Sequence, residues 1–125
     1  MNFDDFDLVY AYTRTQAIAD GVLIPISEEE SGLKIPAVVS SNLFHHYIEP
    51  PEKLVGEGQS TTGRLHDTIM MFKAAASVRW DGTRVAFDVL YLMGPGRLEK
   101  VKILGLLCTD DKEKACLTFC LPEDE

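Results

Sequence analysis

No run of apolar residues in this 125-residue chain comes near the roughly 20 needed to cross a bilayer. The opening residues Met-Asn-Phe-Asp-Asp-Phe-Asp are acidic, whereas a secretory signal needs a basic start and a long apolar stretch. A cytoplasmic protein without membrane contact is therefore expected. Cations are scarce too. Lys and Arg number 12 against 20 Asp and Glu, a net charge of −8. Nucleic-acid binding depends on neutralising phosphates with Lys and Arg, so direct contact with nucleic acid is not expected. Cysteine is limited to three residues in no paired pattern, which argues against a disulfide framework and fits a reducing compartment. Metal-ligand spacings are missing as well. His45 and His46 are neighbours, and adjacent residues on a helix point about 100° apart, so the two do not chelate one ion as an i, i+4 pair would. No metal and no cofactor is expected.

The apolar fraction of 46% supports a packed core. The length fits a single domain spanning 1–125, ending in the short acidic tail Pro122-Glu123-Asp124-Glu125. Phe3, Phe6 and Tyr10 fall at helical spacing among aspartates and read as one stripe over a groove, with core packing ahead of an acidic-aromatic recognition segment. From Tyr12 the chain reads as a short helix that ends at Gly21, then a strand through Val22, Leu23, Ile24 and Ile26. Thr13 and Gln16 have the spacing of a capping box. Pro25 makes this an edge strand, because proline has no N–H to give a neighbour. Ser27-Glu28-Glu29-Glu30-Ser31-Gly32 reads as a loop or a fraying helical turn. Leu33–Val39 starts extended, and Ser40 or Ser41 caps a helix that Pro50 and Pro51 end. Glu49–Gln59 reads as a surface loop.

The main helix runs from Ser60 to Arg79, with Leu65, Ile69, Phe72 and Ala76 on one buried face. Asp81-Gly82 marks a turn. Three strands follow, over Arg84–Met93, Glu99–Cys108 and Lys114–Leu121, and their short connections predict an antiparallel meander. Val85, Phe87, Val89, Tyr91 and Met93 share a face. Cys108 falls across the last hairpin from Cys116 and Cys120, which read as buried thiols. The expected fold is α+β: a mainly antiparallel sheet of three to four strands, a long helix over about 60–79 packed across it, and shorter N-terminal helices.

Two polar stretches are candidates for function. One holds Tyr12, Arg14, Gln16 and Asp20; the other holds Gln59, Arg64, His66 and Asp67. Gly58–Arg64 has the free N–H groups and the arginine of an anion-binding helix start, but it lacks the lysine-serine ending of a P-loop. Tyr12-Thr13-Arg14, Gln16-Ala17-Ile18 and Asp20-Gly21 before a strand, with Gly58-Gln59-Ser60, Gly63-Arg64-Leu65 and Asp67, resemble a family of small proteins carried by plasmids, phages and integrated mobile elements, a domain of unknown function. Pro25 departs from that pattern, where an acidic or polar residue would be expected. The resemblance implies a mobile-element setting and carries no activity with it. The expectation is a small acidic protein that binds another protein, as an adaptor or inhibitor, with protein binding ahead of catalysis. The alternative is a small enzyme or a nucleotide- or anion-binding protein, its site formed where the 12–21 and 58–67 motifs meet.

Overall fold

The computed structural model describes residues 14–109 and 112–124. Tyr12, the Thr13 cap and the aromatic stripe of residues 3–10 lie outside them. Helix α1 (Arg14–Ala19) ends as its glycine requires. Gly21 takes φ +78°, Gly21 N–H donates to Ile18 O at 3.1 Å, and Val22 N–H donates to Ala17 O at 2.9 Å. These are the paired bonds of a Schellman stop, which satisfy carbonyls left open at the helix end. Strand β1 (Leu23–Ile26) follows at once.

Of the two alternatives for the glutamate run, the helical turn is the one that forms, as α2 (Glu28–Ser31). Ser27 accepts from Glu30 N–H, and the Glu30 carboxylate reaches back to the Ser27 N–H, so two otherwise unpaired donors are satisfied. After β2 (Ala37–Ser40), Ser40 caps helix α3 (Ser41–Leu43), which widens into a π-helical turn over Phe44–Ile48. The stretch expected as a surface loop holds one more helical turn, α4 (Glu52–Val55), which buries Leu54.

Helix α5 (Thr61–Arg79) is capped by Ser60, whose Oγ accepts from Gly63 N–H at 3.0 Å. Gly63 is explained by the same contact, since a Cβ there would meet that Oγ at 3.0 Å. Strands β3 (Arg84–Gly94), β4 (Arg97–Thr109) and β5 (Ala115–Cys120) complete the fold.

The sheet has five strands in the order β1-β2-β5-β4-β3. It is mixed, not simply antiparallel: β2 pairs parallel to β5, with Val39 opposite Phe119. The segment 33–39 thus supplies a central strand, and all four residues of β2 are buried. Proline-bearing β1 is an edge, as expected.

One face packs under α5 around Val39, Leu65, Ile69, Phe72, Phe87, Ile103 and Phe119. The helix buries Ala75 in place of Ala76, together with Arg64 and Thr68. Phe72 stands edge-on to Phe119 with ring centroids 4.9 Å apart. Gly105 makes this possible, because a Cβ there would lie 2.7 Å from the Phe72 ring. Register places Val38, Ser40, Leu104, Leu106, Cys108, Cys116, Thr118 and Cys120 on the opposite face.

Candidate functional site

Arg64 is the most deeply placed of the residues singled out in the sequence, with 3% of its surface exposed. Its hydrogen bonds run into the fold. Nε donates to Tyr47 O at 2.8 Å, and Nη1 donates to Leu92 O at 2.8 Å and to Gln59 Oε1 at 3.0 Å. Its guanidinium carbon lies 5.1 Å from the centre of the Tyr91 ring. Burial pulls the guanidinium below its ordinary pKa, while Tyr91 and Asp67 act in the opposite direction. Beside it the Tyr91 hydroxyl lies 2.6 Å from Thr68 Oγ1, and burial pushes that phenol up to about 12, against the Thr68 bond and the Arg64 charge.

At the other end of α5, Arg79 donates to Ala86 O at 2.8 Å. Leu107 N–H donates to Thr83 O, so the odd residues of β3 face β4 and the even ones face outward. Ala86 O and Leu92 O are therefore carbonyls of the sheet edge. Both are taken by arginines of α5, which guards that edge against pairing with another strand.

Arg14 does comparable work elsewhere. Its guanidinium donates to Thr118 Oγ1 at 2.9 Å and to Leu117 O at 2.8 Å, which ties α1 to β5. Thr118 is on the face opposite Phe119, whereas Tyr91, under Arg64, is on the α5 face. The described residues of the two motifs thus lie on opposite sides of the sheet and do not converge. Gln16 and Asp20 are exposed on α1 and its end; His66 and Asp67 are exposed on α5. Gln59 is occupied by Arg64.

A surface that was not singled out in the sequence lies on the outward side of the β3–β4 hairpin. Register sets Leu92 beside Leu98, Leu90 beside Lys100, Asp88 beside Lys102, and Arg84 beside Leu106. These pairs do not share ladder hydrogen bonds, so their side chains sit close together. Leu90 is 60% exposed and Leu98 61% exposed. Lys100 approaches Asp88 at 3.8 Å. The face carries Lys100 and Lys102 against the one carboxylate of Asp88, with Arg84 near the carboxylate of Asp81, on a chain of net charge −8. The signal for it was the lapse of polar–apolar alternation at Leu90-Tyr91-Leu92-Met93, where both faces become apolar.

The same side of the sheet holds a cleft of about 310 Å³ between β1, β2, β5 and β4, with Leu23, Leu106, Thr118 and Cys120 among its walls. One end is fixed by Asp124, whose carboxylate accepts from Ser40 Oγ at 2.8 Å and from Asn42 Nδ2 at 2.7 Å. Leu106 connects the cleft to the hairpin face. From Leu106 to Leu98 the strand runs roughly 26 Å, at about 3.3 Å per residue. No group of three or more potential metal ligands occurs among the described residues, and no helix among them is long and apolar enough to cross a membrane. The chain matches no family model, and neither a curated protein nor a solved structure matches it.

Proposed function

We propose that this protein is a binding module that takes an acidic, amphipathic segment of another protein on the outward side of its β3–β4 hairpin. The observation that carries this reading is a leucine-bearing face with an excess of positive charge on a strongly acidic chain. Exposed apolar residues rimmed by charge mark interaction surfaces, and complementary charge speeds encounter and rejects wrong partners. Along β3 the outward residues from Arg84 to Leu92 span about 26 Å, which matches a helix of roughly five turns. The cleft at its far end gives an apolar anchor side chain somewhere to go.

Binding through this face fits the adaptor or inhibitor role suggested by the resemblance to mobile-element proteins. The charge relation is the reverse of the simplest expectation for an acidic protein: the partner brings the carboxylates. Catalysis is the weaker reading. The arginines of both motifs are spent on backbone carbonyls, and His66, which shares an open recess at the start of α5 with Gln59, Arg64 and Asp67, stands exposed there with no described residue of the 12–21 motif beside it.

The test is fluorescence anisotropy with two synthetic helical peptides. They share the same leucines but carry glutamates in one and lysines in the other. The glutamate peptide should bind, more weakly as salt rises, and the lysine peptide should not. Leu90→Ser with Leu98→Ser should weaken binding about ten-fold or more, a change of about 1.4 kcal/mol, and leave the melting temperature in place. Equal binding of both peptides, or of neither, would count against the proposal.

A further inference from the structure

The β4–β5 hairpin holds two sulfur atoms in a geometry the binding reading does not use. Cys108 and Cys116 are directly opposite in the ladder, and their Sγ atoms are 3.2 Å apart. Even residues of β4 face β5, so this is a hydrogen-bonded pair, whose Cα atoms are separated by about 5.5 Å. That separation lies inside the range a disulfide spans without backbone movement. Cys116 is fully buried, while Cys108 is partly exposed. Arg14 reaches the same spot: its Nη1 lies 3.5 Å from Cys108 Sγ, and Thr118 Oγ1 lies 3.4 Å from that sulfur. Cys120 is four residues beyond Cys116 on β5, opposite Leu104.

We propose that Cys108 and Cys116 are a reversible dithiol–disulfide pair, oxidised by hydrogen peroxide, with Cys108 as the attacking sulfur and Arg14 as the residue that supports it. Cys108 sulfur attacks one oxygen of the peroxide. The O–O bond breaks, the leaving hydroxide takes the thiol proton and departs as water, and Cys108 becomes a sulfenic acid. Cys116 sulfur then attacks Cys108 sulfur. The S–O bond breaks, a second water leaves with the Cys116 proton, and the S–S bond forms. Two electrons pass from the two thiols to the peroxide, so one peroxide yields one disulfide and two waters. A dithiol reductant returns both hydrogens. The guanidinium of Arg14 puts positive charge where negative charge builds on sulfur during the first attack. Burial of Cys116 sets the order of events, since only Cys108 is open to the oxidant.

The probe is hydrogen peroxide, followed by alkylation in denaturant and intact-mass and peptide mapping of the full chain. The expected result is a loss of two hydrogens, a bridge between Cys108 and Cys116, alkylation of Cys120 alone, and full reversal by dithiothreitol. Cys120→Ser should form the same bridge; Cys108→Ser and Cys116→Ser should form none. Arg14→Gln should close several-fold more slowly to the same product. Mapping of the wild-type chain decides the matter even where a variant fails to fold. Three alkylated thiols after peroxide, a bridge through Cys120, or a dimer linked through Cys108 would overturn the pair. An unchanged rate in Arg14→Gln would remove Arg14 from it.

Discussion

Replacing Arg64 with methionine tests whether this residue belongs to the fold or to a site. Methionine keeps most of the apolar stem and removes the guanidinium. Tyr47 O, Leu92 O and Gln59 Oε1 then lose their donor. Each buried acceptor left unpaired costs about 1–3 kcal/mol, and loss of the contact with the Tyr91 ring adds about 1 kcal/mol. Two effects pull the sum down. Leu92 O lies on the sheet edge and gains water, and a buried cation no longer has to be desolvated. A net loss of about 3 kcal/mol is expected, a large part of the 5–15 kcal/mol that holds a domain of this size together. At about 3–5 °C per kcal/mol, the melting temperature should fall by roughly 10–15 °C. Arg14→Met removes two half-buried bonds from α1 and should cost about 1–2 kcal/mol. Arg64→Lys should recover only part of the loss, because a single ammonium does not reproduce the planar fork that spans residues 47 and 92. Urea unfolding of the three variants gives the comparison. An Arg64→Met loss below about 1 kcal/mol, or one no larger than that of Arg14→Met, would refute this account of Arg64.

Gly105→Ala should destabilise by about 1–3 kcal/mol by forcing the Phe72 ring off its seat, and the cost should shrink in a Phe72→Leu background; a shift of the urea midpoint in the opposite direction would contradict the close approach. Tyr91 makes stability depend on alkaline pH. Its phenol titrates near 10 in the unfolded chain and at about 12 in the fold. The stability tied to the neutral form is thus complete below about pH 10 and lost as pH rises through about 12, in all roughly 2–3 kcal/mol. Tyr91→Phe should remove that slope between pH 10 and 12 in denaturation measurements, and an identical slope in both proteins would tell against the buried hydroxyl.

Local signals carried much of this fold. The glycine after α1, the serine before α5, the Asp-Gly turn and the alternation in β3 each state a backbone requirement within a few residues, and each is met where expected. The errors are non-local. Nothing within Ala37-Val38-Val39-Ser40 shows that its partner is residues 117–119, nor that the pairing is parallel. Burial on both faces is visible there only as a short apolar run, which a helix segment shares.

Arg64 and Arg14 looked like site residues because an exposed reading was natural for charged groups at helix starts. Their backbone acceptors lie 17 and 28 residues away for Arg64 and 103 away for Arg14, which local spacing does not reveal. The hairpin face was legible in principle. Leu90 and Leu92 alternate with residues already committed to the core, so they had to point outward. The cross-strand meeting of Cys108 and Cys116 was readable from hairpin register, but its approach to Arg14 was not.

The most direct test of the binding account is to reverse the charge of the hairpin's outward side. Lys100→Glu with Lys102→Glu changes two exposed side chains that do not support the core. The account expects the double variant to melt like wild type, to lose the glutamate-bearing helical peptide by about ten-fold or more, and to gain the lysine-bearing one. If both proteins bind the glutamate peptide equally, the segment is recognised somewhere else, and the outward side of the β3–β4 hairpin is not the functional surface.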